Sequence, residues 1–179
     1  MGVNDSRPES PDRDEPGIGE GGYWSEGEPL LPEDLPDAPP PGYIGGLLSE
    51  QPILLQRPNL VAFLTKVRAY PEGVSFQVAI EERQAEVLER VMDWDEEVEV
   101  AVTVEGDPEP PEIFQLGSEA SSGDQGATWL ADYWVPRSPG TGQVTFRVTI
   151  GDLVGTASLP GALLRSAAAL AVDFFQQER

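Results

Sequence analysis

The stretch from Asn59 to Glu82 constrains this chain most, because its spacing suits one β-hairpin and little else. Val74, Phe76, Val78 and Ile80 alternate with Ser75, Gln77, Ala79 and Glu81, which sends one set of side chains to each face of a strand. The preceding half, Val61, Phe63, Thr65 and Val67 against Ala62, Leu64, Lys66 and Arg68, alternates less cleanly but is rich in β-branched and aromatic residues. Between the halves, Tyr70-Pro71-Glu72-Gly73 has the proline and glycine of a reversal. A two-stranded hairpin is marginal alone, so the remaining chain must supply strands or a helix to cover its apolar face.

The material for that cover lies after residue 41. The first 49 residues hold nine of the 18 prolines and nine of the 19 glycines, with eleven acidic and two basic side chains. Such a segment cannot bury enough surface to offset its ordering entropy, which predicts a disordered acidic arm over residues 1–41 and a folded domain over 42–179. Within the arm, Tyr23, Trp24, Leu30 and Leu31 stand among glutamates, a mixture typical of segments that order on a partner or on the chain's own domain. Pro39-Pro40-Pro41-Gly42 is a stiff spacer.

Periodicity then divides the domain. Pro52 to Gln56 suits a short edge strand, and Gln84 to Trp94, with Val87, Leu88, Val91 and Met92 at helical spacing, suits a short helix. Val98 to Val104 alternates cleanly. Glu112 to Leu116 is a short strand, Gly117 to Ala127 a serine- and glycine-rich mobile loop, and Thr128 to Val135 another strand. Val144 to Ile150 and Leu153 to Ser158 are joined by Gly151-Asp152, which fits a type II′ turn. A final helix from Pro160 carries a stripe of Leu164, Ala168, Ala171 and Phe175, flanked by Leu163, Ala167 and Phe174. The expected fold is mainly β: a two-layer antiparallel β-sandwich of about seven to eight strands with a C-terminal amphipathic helix.

Composition excludes much chemistry. The chain has no cysteine and no histidine, which removes thiol catalysis, thiolate zinc sites, the usual triads and most transition-metal sites, and no cofactor is expected. A net charge of −21 repels phosphate backbones and anionic lipid, so nucleic acid and membrane are disfavoured and another protein, of basic character, is the favoured partner. No apolar run approaches the ~18 residues of a membrane span, and the amino terminus has no secretory pattern, so the expected location is the cytoplasm. Gly2 and Ser6 match a myristoylation pattern, but no polybasic patch accompanies it. The near absence of lysine beside abundant alanine, glycine and proline suggests a bacterial, high-GC source.

Val67-Arg68-Ala69-Tyr70-Pro71-Glu72-Gly73-Val74-Ser75-Phe76, Asp132-Tyr133-Trp134-Val135-Pro136 with Pro139-Gly140, and the alanine-rich terminal helix together resemble a group of uncharacterised actinobacterial proteins. That group has Trp-Pro after the penultimate strand and an aspartate opening the last helix, where this chain has Ile150-Gly151 and Leu159-Pro160. The resemblance implies a β-rich domain; it implies no activity and no functional residues.

Three chemistries remain open. A carboxylate glycosidase would pair Asp132 with Glu99 or Glu105. A carbohydrate-binding face would use Trp134 beside Asp132, if Trp129, Ala131, Tyr133 and Val135 form the core and Trp134 is not itself covered by the terminal helix or its flanking loop. Asp93, Asp95, Glu96 and Glu97 could bind calcium, although a charged connection explains them more simply and no metal is expected. The leading expectation is a non-enzymatic protein-interaction or scaffold module, with Tyr23, Trp24, Leu30, Leu31, Asp132 and Trp134 as candidate binding residues.

Overall fold

The computed structural model describes residues 38–83, 98–124 and 126–174. The acidic arm with Tyr23, Trp24, Leu30 and Leu31, the expected helix over 84–94, the acidic run of Asp93, Asp95, Glu96 and Glu97, and Phe175 lie outside the described residues.

Among the described residues the chain is a β-sandwich with one short helix. Its strands are β1 (Tyr43–Ile44), β2 (Gly46–Leu47), β3 (Ile53–Gln56), β4 (Leu60–Ala69), β5 (Val74–Glu82), β6 (Val98–Val104), β7 (Phe114–Gly123), β8 (Gly126–Val135), β9 (Gln143–Ile150), β10 (Leu153–Pro160) and β11 (Val172–Asp173). Helix α1 (Gly161–Ala168) joins the last two. All pairings are antiparallel. The large sheet runs β4-β5-β8-β7, with β2 and β3 sharing the outer edge of β4; the small sheet runs β10-β9-β6; β1 pairs with β11.

The alternation seen in the sequence fixes the facing. Phe76 and Val78 of β5, Trp129 and Ala131 of β8, and Phe146 and Val148 of β9 meet between the sheets with almost no exposure. In β4 the buried set begins as Ala62 and Leu64 but continues as Val67 and Ala69. The cause is a β-bulge: Thr65 pairs with Gln77 and Arg68 with Ser75, leaving one extra residue in β4, and Lys66 takes a positive φ of 50°. Without it, strict alternation from Leu64 would drive Lys66 and Arg68 into the core, at a cost far above that of one left-handed residue. The bulge is the reason the first half of the hairpin alternates poorly.

The terminal helix is shorter than its stripe implies. It ends at Ala168, and the chain then leaves to form β11, so Ala171 and Phe174 are not helical. Phe174 is 53% exposed, whereas Leu164 is fully buried. Helix α1 packs on β2, β4 and β10 and so closes the sandwich between the two sheets. Its approach is close: a Cβ on Gly46 would stand 1.9 Å from the Ala167 carbonyl oxygen, so β2 accepts only glycine there. At the far end of the small sheet, Gly151 and Asp152 form the two-residue turn expected between β9 and β10, with Gly151 at φ 55°.

The serine- and glycine-rich stretch expected to be a loop is a strand. β7 extends from Phe114 through Gly123, paired along its length with β8. Every residue of it from Gln115 onward is exposed, including Ser118, Ala120 and Ser122, which lie opposite the buried Ala131, Trp129 and Ala127. The small sheet, three strands wide, does not reach this far across the larger one. Among the described residues no helix is long and apolar enough to cross a membrane.

Two predictions concern the cover. Leu164→Ala should cost about 2–5 kcal/mol and Phe174→Ala less than about 0.5 kcal/mol in denaturant unfolding; the reverse order would contradict the packing of α1. The second is a pH dependence. The Tyr43 hydroxyl donates to the Asp173 carboxylate across β1–β11, and that bond, then partial desolvation, then the charges of Asp173 and Glu72, raise its pKa above the ordinary 10.0. A raised folded pKa means the clasp contributes fully below pH 10 and is lost as pH rises through the folded value. Difference absorbance between the native chain and Tyr43→Phe should show late ionisation, and Asp173→Asn should return it toward 10.

Candidate functional site

The outward face of the large sheet carries the polar residues that the core cannot hold. Two rows cross it: Arg68, Ser75, Trp134 and Phe114 stand in one cross-strand register, and Thr65, Gln77, Asp132 and Gly117 in the next. On β4 the extra residue, Lys66, falls between these rows; on β7 a second register shift, between Gln115 and Gly117, puts Leu116 between the same two rows. Two bulges thus flank the β5–β8 pair at one level. Bulges bend a strand and re-aim its side chains. Between them lies a cavity of about 480 Å3 lined by Lys66, Arg68, Tyr70, Ser75, Leu116 and Asp132, with Pro39 at its rim.

Asp132 is exposed, and its carboxylate is held from below. Gln77, only 3% exposed, donates from Nε2 to Asp132 Oδ1 at 3.1 Å. Burying an amide is favourable only when it is hydrogen-bonded, so Gln77 and Asp132 fix one another. Lys66 and Arg68 are both exposed, and neither side chain has a hydrogen bond or ion pair among the described residues. The cavity therefore presents two cations and one anchored carboxylate.

Trp134 shares the face of Asp132 but not the cavity. It is 2% exposed, edge-on to Tyr70 with ring centroids 5.5 Å apart. A Cβ on Gly73 would come within 2.4 Å of the indole and of the Val135 carbonyl oxygen, so the turn between β4 and β5 lies directly on the ring. This corrects the sugar-stacking expectation: the indole face is covered, and the cover is that turn, where the sequence pointed to the terminal helix or its flanking loop. Its Nε1–H is buried and meets no acceptor among the described residues. Trp129, Ala131, Tyr133 and Val135 are the core set, with Tyr133 stacked on Phe76 at 5.4 Å.

The carboxylate pairs are not brought together. Glu99 faces outward from β6 in the small sheet, whereas Asp132 faces outward from the large one, so the full sandwich, about 10 Å between sheets alone, separates them. A glycosidase pair needs about 5 to 9.5 Å. Glu105 is bonded to the backbone N–H of Gln143 through Oε2 at 3.0 Å. Among the described residues no group of three or more acidic side chains is spaced to hold a metal ion.

Lys66, Arg68 and Leu116 were not among the residues singled out in the sequence. The signal for the first two was present: in a strand burying Ala62 and Leu64, strict alternation would bury both cations, so a bulge had to intervene. Leu116 had no comparable mark. No family model matches this chain, and no curated protein sequence does.

Trp134→Ala should cost about 3–5 kcal/mol, and Gly73→Ala about 1–3 kcal/mol through crowding of the same ring. Denaturant midpoints check both. A Trp134→Ala variant of undiminished stability would mean that the indole is not enclosed.

Proposed function

We propose that the chain is a non-enzymatic protein-interaction module that takes up an extended, basic segment of another protein along the outer edge of β7, which pairs with no further strand among the described residues. The observation that carries this reading is the overhang: β7 is ten residues long, ends the large sheet, and is exposed on both faces. An edge strand presents backbone donors and acceptors to any chain that can lie alongside, and proteins commonly cover, shorten or charge such edges. Adding a strand is a recurring mode of peptide recognition.

Charge selects the partner. Glu119 lies on β7, and Glu109, Glu112 and Asp124 are exposed at its two approaches. A basic segment would be steered toward them, while a second copy of a chain with a net charge of −21 would be repelled. The arm residues Tyr23, Trp24, Leu30 and Leu31 would add apolar anchoring to the same partner. We take the module to act in the cytoplasm. The carbohydrate-binding alternative has lost its stacking platform with the enclosure of Trp134.

The test is a displayed library of extended peptides, about ten residues long to match the strand. Enriched peptides should be basic and β-branched, should slow the exchange of β7 amides, and should associate more slowly in salt. Prolines at Glu119 and Ala120, made singly, complete the test, because only one of two successive residues turns its N–H outward. One variant should keep wild-type stability and lose binding. If no peptides are enriched, or protection arises away from β7, the reading fails.

A further inference from the structure

The cavity between the two bulges has a chemistry that strand addition does not use. Its volume of about 480 Å3 lies within the range of small-molecule sites, about 300 to 1,000 Å3. The chain has 32 acidic and only 11 basic residues, so more than one cation on a single cavity is an uneven use of few positive charges. Two cations, Lys66 and Arg68, line this one cavity, and neither side chain is in an ion pair among the described residues. Asp132 lines the same space yet bonds to neither, because the buried Gln77 amide holds it. Opposite charges are thereby kept apart and open.

The bulges sharpen the argument. The face change in β4 requires one extra residue, but glycine would accept its positive φ without strain, whereas lysine in the left-handed region is strained. Strained backbone of this kind gathers at binding sites. The second bulge, on a different strand, puts Leu116 on the opposite wall of the same cavity. Neither the core nor the β7 edge calls for that coincidence.

We infer that this cavity binds a small zwitterion, an amino acid or short peptide, whose carboxylate is taken by Arg68 and Lys66 and whose ammonium group is taken by Asp132. Arg68 offers a planar fork suited to a carboxylate, Lys66 a second positive charge, and the Ser75 hydroxyl a further hydrogen bond at the floor. Leu116 and Tyr70 supply apolar wall for a side chain.

Titration calorimetry of the full chain at low salt, with a panel of free amino acids and dipeptides, tests the assignment. Acetate and the N-acetylated and amidated forms of each hit serve as single-charge controls. At least one zwitterion should saturate one site, with affinity about tenfold or more above its single-charge forms. Arg68→Gln and Asp132→Asn should each weaken it by about tenfold, and Asp132→Asn should leave the N-acetylated form unaffected. Arg165→Gln, an exposed change on α1, should alter nothing. Absence of saturable binding across the panel would overturn the inference. So would acetate binding as tightly as the best zwitterion, or indifference to both cavity substitutions in variants with native melting.

Discussion

The pairing of β5 with β8 at the centre of the large sheet creates one wide apolar face, and the rest of the fold is arranged by the need to keep water off it. Phe76, Val78 and Ile80 on one strand and Trp129, Ala131 and Tyr133 on the other cannot be covered by a single helix. A second sheet meets the demand, but only three strands wide. Helix α1 and the short β3 close one side, where the backbone of Gly155 comes so near Leu54 and Leu55 that a Cβ would collide with them. The shortfall collects at the other side. There β7 has little to bury, and its composition agrees, with serine, glycine and glutamate where an inner strand would need valine.

Much of this fold is legible in the sequence, and what is not has a physical cause. Period-two alternation identifies a strand that is wet on one face and dry on the other, so β5, β6 and β9 could be read directly. β7 could not, because a strand wet on both faces has the composition of a loop; its pairing with β8 is a tertiary fact. The apolar stripe after Pro160 suggested a longer helix, since Ala171 and Phe174 fall at helical spacing. The competing interaction is the β1–β11 pairing, made with residues more than a hundred positions earlier.

At the candidate site the sequence pointed to β8, whose Asp132 lines the cavity and whose Trp134 is enclosed. Trp134 attracts attention as a large aromatic beside a carboxylate, yet a large aromatic on an outer face is what a neighbouring turn can enclose. Gly73 makes that enclosure possible by leaving room for the ring. The residues that do reach the cavity are ones that ordinary pleating would have hidden. Charge follows the same logic: in so acidic a chain, information lies in where the few cations stand, and Lys66 and Arg68 stand together on one cavity.

The bulge in β4 gives that strand an unusual relation to length. In most strands, removing one residue reverses the facing of everything beyond it. Here the chain without Lys66 would read Ala62, Leu64, Val67 and Ala69 inward, with Phe63, Thr65 and Arg68 outward, a regular alternation from end to end. Lys66 has the character of an insertion that the sheet absorbs without losing its register on either side. The strand's architecture and its surface chemistry can therefore change independently, by gain or loss of a single codon.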